Sequence, residues 1–135
     1  ESYSEFQKFI TKSDEDVELQ SDLQEILRVM RRMVEELGFL ERLFRPEGKM
    51  RDRVAAIPVT SNKLRLYCLR LSDQIVILGN GGVKNKRTYE EDPKLYGYVL
   101  DLQKFEKILG ENIAKGYVSI EEKELTGIED ITFEI

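Results

Sequence analysis

Apolar positions in the first third of the chain recur at helical spacing. Phe6, Phe9 and Ile10 share one face, which predicts a short helix over residues 4–12. Ser13 followed by Asp14, Glu15 and Asp16 then reads as a second helix start. It offers a capping oxygen and negative charge at the positive end of the helix dipole. The stripe Val17, Leu19, Leu23, Ile26, Leu27, Met30, Met33, Val34 and Leu37 carries this helix to Gly38, a natural stop. Residues 39–53 show no sustained period. They predict irregular structure or a single helical turn, punctuated by Pro46 and Gly48.

From residue 54 the period changes. Val54–Val59 and Lys63–Leu71 read as strands joined by a turn at 60–62. Ser72-Asp73 makes a second short turn, and Gln74–Gly79 contains the unbroken apolar run Ile75-Val76-Ile77-Leu78. Such a run suits a central strand buried on both faces, and two short connections imply an antiparallel meander. Asn80-Gly81-Gly82 either ends the last strand or lets it bulge. Asp92-Pro93 caps a further helix whose buried face is Leu95, Tyr98, Val99, Leu102, Phe105, Ile108 and Leu109. Residues 117–135 hold two strand-like pieces, and Ile131, Phe133 and Ile135 alternate with Thr132 and Glu134. The expectation is one α+β domain over residues 1–135. An N-terminal helical layer packs on a central antiparallel sheet, followed by a helix and a final strand or hairpin.

Composition narrows the chemistry. With 135 residues, 41% hydrophobic and 35% charged, the chain suits one ordinary core under a dense charged surface. The absence of His removes the commonest general base and the usual zinc ligand. Cys68 stands alone, so it forms no internal disulfide; it reads as a small buried hydrophobe or, failing that, a reactive thiol. Neither a metal nor another cofactor is expected. No apolar stretch has membrane-spanning length and no signal peptide is visible, so the expectation is a cytoplasmic protein without a membrane partner. The chain starts at Glu1 rather than Met, which leaves open what precedes it.

The net charge of −5 argues against nucleic acid until it is divided along the chain. Residues 1–41 carry 5 basic and 11 acidic groups, residues 42–94 carry 12 and 6, and residues 95–135 carry 4 and 9. The basic middle coincides with the strands. Arg65 and Tyr67 lie two residues apart and so share a face. Lys84, Lys86 and Arg87 follow the third strand, with Tyr89 just beyond, and Arg42, Arg45, Lys49, Arg51 and Arg53 lead into the sheet. If the meander gathers these ends, they form a basic, tyrosine-edged surface suited to a phosphate backbone and a stacked base. The competing reading is an ordinary solvated charged surface. The glycine cluster at 79–82 fits neither a P-loop nor a dinucleotide fingerprint.

The run Lys63-Leu64-Arg65-Leu66-Tyr67-Cys68-Leu69, followed by Gln74 to Lys86 with its Gly79-Asn80-Gly81-Gly82-Val83-Lys84 segment, resembles the RelE/ParE toxin superfamily, nearest its HigB-like, phage-derived branch. The resemblance spans about residues 14–110, with its motif-level part at about 54–89. It implies helices packed on an antiparallel sheet, a partner antitoxin, and ribosome-dependent cleavage of messenger RNA. Under it Arg65 would hold the phosphate, Lys84 matches the lysine after the hydrophobic strand, and Lys86 and Arg87 would share the catalytic work. Tyr67, Tyr89, Arg53 and Arg45 would bind RNA. The chain departs from the family at Val54-Ala55-Ala56-Ile57, where many members carry an arginine, and in its long acidic C-terminal third. Those departures suit an alternative, a non-catalytic protein-interaction module on the same scaffold.

Overall fold

The computed structural model describes residues 4–46, 53–59, 63–84, 92–121 and 124–126. The first helix, α1 (Glu5–Asp14), starts at Ser4, whose hydroxyl accepts from the Gln7 amide while the Gln7 side chain accepts from the Ser4 amide. This reciprocal cap satisfies two otherwise orphaned donors. The helix outruns its predicted end. Ser13 lies in its last turn, four residues after Phe9, and both are buried. Ser13 therefore does not cap the second helix; Asp16 caps the turn that leads into it, its Oδ1 accepting from the Glu18 amide at 2.9 Å. The chain turns through residues 15–19, and α2 (Gln20–Arg32) begins at Leu19 without a side-chain cap.

A wide π-type turn, Met33–Leu37, ends α2. Gly38 accepts the positive φ of 74° that the stop requires, and its amide donates to the Met33 carbonyl at 2.7 Å. Arg70 secures the exit, with its Nε donating to the Phe39 carbonyl at 2.6 Å and its guanidinium pairing with Asp73. The irregular stretch predicted next contains a 3₁₀ turn, Glu41–Leu43, and a two-residue strand, β1 (Arg45–Pro46).

Strands β2 (Val54–Ala56), β3 (Leu64–Arg70) and β4 (Val76–Val83) form the expected antiparallel meander. With β1 they make a four-stranded sheet ordered β1-β2-β3-β4. The predicted 60–62 turn lies outside the described residues. The Ser72 hydroxyl closes the second turn by accepting from the Gln74 and Ile75 amides. One expectation is corrected here: β4, the most apolar run, lies at a sheet edge among the described residues, and β3 is more central.

Alternation on β3 sorts its side chains between two cores. Leu64, Leu66 and Cys68 pack with Phe9, Leu23, Ile26 and Met33 of the N-terminal helices. Tyr67 and Leu69 pack with Val54, Ala56 and Leu95, Val99 and Leu102 of α3 (Pro93–Ala114). Helices on both faces explain why an antiparallel sheet reads as continuous hydrophobic runs. Asp92 caps α3 as predicted, its Oδ1 accepting from the Lys94 and Leu95 amides. A small hairpin, β5 (Ser119–Glu121) and β6 (Glu124–Thr126), follows. The alternating residues 131–135 lie outside the described residues. The architecture is α+β, an N-terminal helical layer and a C-terminal helix enclosing an antiparallel sheet.

Candidate functional site

The glycine cluster neither ends β4 nor forms a loop. Pairing passes from Leu66 opposite Gly81 to Cys68 opposite Leu78, so β4 carries one extra residue across from Tyr67. This is a β-bulge. At Gly81 the approach is so close that a Cβ would lie 1.8 Å from the Arg65 carbonyl oxygen, which excludes any other residue without backbone movement. The Asn80 side chain fastens the bulge by accepting from the Gly81 amide at 2.7 Å, and its Nδ2 donates to Glu5 of α1 at 3.3 Å.

Beyond the bulge, Arg65 stands opposite Gly82, and the Lys84 amide donates to the Lys63 carbonyl at 2.8 Å. Gly82 faces α3, with its would-be Cβ 3.5 Å from Leu95, while Val83 packs with the opposite core. Alternation returns Lys84 to the face of Gly82, which is also the face of Arg65. As a diagonal neighbour across the ladder, Lys84 has its Cα about 7–8 Å from that of Arg65. Both residues are half-buried, and Arg65 Nη1 donates to the Leu64 carbonyl at 3.2 Å. Lys63 joins them on the same face. The sequence gives a signal for it, since Lys63 and Arg65 alternate just as Arg65 and Tyr67 do. Asp22 of α2 holds the start of β3 in place, its Oδ2 accepting from the Lys63 amide at 2.9 Å and the Leu64 amide at 3.3 Å.

The first turn of α3 overlies this end of the sheet, so the positive end of its dipole adds to the three cations. Such an arrangement binds an anion and stabilises negative charge that builds up on it.

Not every expected member joins the group. Tyr67 shares the face of Arg65, but its ring is fully buried between the sheet and α3. No ring face remains for a base to stack on, and the expectation of RNA contact there is corrected. Arg53 lies at the other end of β3, its carbonyl accepting from the Arg70 amide, and it pairs with Glu106 at 3.6 Å. Five residues of strand separate Arg65 from Arg70, or about 17 Å. Arg45 pairs with Ala56, which pairs with Tyr67, so its backbone is two strands from β3, about 10 Å away. Lys86, Arg87 and Tyr89 lie outside the described residues. The gathering of all the strand ends into one patch thus holds for Arg65 and Lys84, not for Arg53.

Cys68 is fully buried on the opposite face, and burial pushes its thiol up to about 12. It is the small buried hydrophobe of the first alternative. Among the described residues no cluster of acidic or cysteine side chains could hold a metal ion. Nor is any helix among them long and apolar enough to cross a membrane. No protein-family model, curated protein or solved structure matches the chain.

Proposed function

We propose that the chain is a RelE/HigB-like toxin of a type II toxin–antitoxin system, a cytoplasmic protein that cleaves messenger RNA on the ribosome. The observation that carries this reading is the placement of Arg65 and Lys84 on one face at the open end of the β3–β4 ladder, beneath the start of α3. In the proposed reaction the RNA 2′-oxygen attacks the adjacent phosphorus. The new 2′-O–P bond forms as the P–O5′ bond breaks, leaving a cyclic phosphate and a 5′-hydroxyl. One proton leaves the 2′-hydroxyl and one reaches the departing 5′-oxygen. Arg65 holds the phosphate, and Lys84 neutralises charge on its non-bridging oxygens. Lys86 and Arg87, which follow Lys84 in sequence after Asn85, are assigned the same role from the sequence alone, with Tyr89 the remaining candidate for stacking. An antitoxin is the expected partner.

The test is induction in a bacterial host with growth and transcript integrity as readouts. Arrested growth and cut messages are expected for the parent, and neither for Arg65→Ala or Lys84→Ala. Normal growth with intact transcripts in the parent refutes the cleavage.

The second reading, a non-catalytic interaction module, draws on the buried Tyr67 and the distant Arg53. These reduce the RNA-facing set among the described residues to cations. A stable protein complex with no effect on RNA is its signature.

A further inference from the structure

Asn80 sits inside the bulge and is 5% exposed. Burying an amide is costly unless both its acceptor and its donor find partners. The acceptor is used locally, Oδ1 taking the Gly81 amide at 2.7 Å. The donor reaches another element, Nδ2 donating to Glu5 Oε1 of α1 at 3.3 Å. Glu5 divides its two oxygens, and Oε2 accepts from Lys8 at 2.9 Å. The Lys8 bond first, against the opposing cost of burial, and then the Asn80 bond hold the Glu5 carboxyl below the usual carboxylate range. Glu5 therefore stays ionised and can only accept. An acceptor at that point fixes the orientation of the Asn80 amide. It takes the NH₂ end and leaves the oxygen for Gly81. With the amide reversed, two donors would face each other at the bulge. Glu5 is itself held in place. The reciprocal Ser4–Gln7 cap encloses it, and Lys12 farther along α1 donates to the Tyr98 hydroxyl at 3.0 Å, tying α1 to α3.

We propose that Asn80 is a positioning residue for the Arg65–Lys84 pair, and that Glu5 is the group on α1 that sets it. The link runs from the Glu5 carboxylate to the Asn80 amide, and from there to the Gly81 amide and the bulge. The bulge in turn decides that Lys84 shares the face of Arg65. A bulge alone needs only an acceptor for the Gly81 amide. The second bond, made to a different helix, adds a fixed orientation for that acceptor. The cationic face is thereby governed from a helix on the other side of the sheet. The inference rests on the reading of Arg65 and Lys84 as an anion site, but not on RNA cleavage.

The test titrates the intact chain with inorganic tripolyphosphate and follows hydrogen exchange of the Gly81 amide in parallel. Glu5→Lys puts a donor where the acceptor stood. It is expected to speed exchange at Gly81 about tenfold and to weaken tripolyphosphate binding about fivefold. Charge alone would act the other way, because the variant makes the chain more positive. Asn80→Asp should weaken both as well, by setting two carboxylates side by side. Combining Glu5→Lys with Asn80→Asp should return both readings to within about twofold of the parent, since an aspartate can accept from Gly81 with one oxygen and from the lysine with the other. Three results overturn the proposal alone in a parent that binds: unchanged or tighter binding in Glu5→Lys, a double variant no better than Glu5→Lys, or exchange at Ile26 of α2 that accelerates as much as at Gly81. A parent that binds no tripolyphosphate overturns the anion-site reading, and the proposal falls with it.

Discussion

Replacing Gly81 by Ala tests the bulge on which the cationic end depends. The added Cβ would lie 1.8 Å from the Arg65 carbonyl oxygen, and to reach the 3.0 Å that real Cβ atoms keep, the strands must part by about 1.2 Å. The obstacle is backbone, so no side chain can rotate away. Backbone displacement of this kind costs about 1–3 kcal/mol. The bond from the Gly81 amide to Asn80 Oδ1 weakens as the bulge opens, at about 1 kcal/mol more. A loss of about 2–4 kcal/mol follows, which for a chain of this length lowers Tm by roughly 8–15 °C. Urea unfolding followed by circular dichroism measures it directly. Gly110→Ala is the control: nothing lies within 4 Å of its would-be Cβ, and helix propensity favours Ala by about 1 kcal/mol. If Gly81→Ala unfolds within about 0.5 kcal/mol of the parent, the close strand approach described here is wrong.

Further outcomes follow from individual contacts. Cys68 should resist thiol reagents at pH 8 in the folded chain and react on unfolding, because burial pushes its thiol up to about 12 from the 9.0 of an exposed thiol. Its folded value is the raised one, so its stabilising effect is complete below pH 9 and declines as pH rises toward 12. By pH 10 the loss is about 1.4 kcal/mol, and Cys68→Ala should remove that share of the alkaline destabilisation. Asp22→Ala leaves the Lys63 and Leu64 amides without their shared acceptor and should cost about 1–2 kcal/mol in chemical denaturation. Asp92→Ala uncaps α3 and should cost about 1 kcal/mol by the same measurement.

Much of the fold was legible because its signals were local. Gly38 ends the helical pattern where a positive φ is needed, Asp92-Pro93 opens α3, and the meander lies where the period switches from helix to strand. The α1–α2 boundary was misread for a tertiary reason. Ser13 through Asp16 has the chemistry of a helix start, yet Phe9 and Ser13 share a buried face that keeps α1 helical to Asp14. The apolar run at β4 packs toward both cores, with Ile75 buried and Val76, Ile77 and Leu78 only partly so, because the strand lies at the edge and not at the centre. Helices on both faces can produce that run at an edge as readily as at the centre, and strand order leaves no mark on local hydrophobicity. At the site, two-residue alternation put Arg65 beside Tyr67, but alternation alone does not say how far the covering helix extends. It buries Tyr67 while Arg65, one step nearer the end of the strand, stays half-exposed.

The bulge also acts as a parity switch. On a regular strand Gly79, Gly81 and Val83 would share one face, and Lys84 would point with Leu78 toward the N-terminal helices. The extra residue opposite Tyr67 inverts that count, placing Gly82 and Lys84 on the α3 side and Val83 in the other core. The pairing of two cations on one surface is thus set by a single uncompensated residue in the backbone. Deleting Gly81 would remove the extra residue and the bulge together, so the regular strand that results would keep Lys84 on the face of Arg65 and Val83 in its core; flattening the bulge with all residues retained would instead put Lys84 on the opposite face. A slip of pairing register at this point is therefore a change of surface chemistry, whereas the loss of one residue is only a change of length.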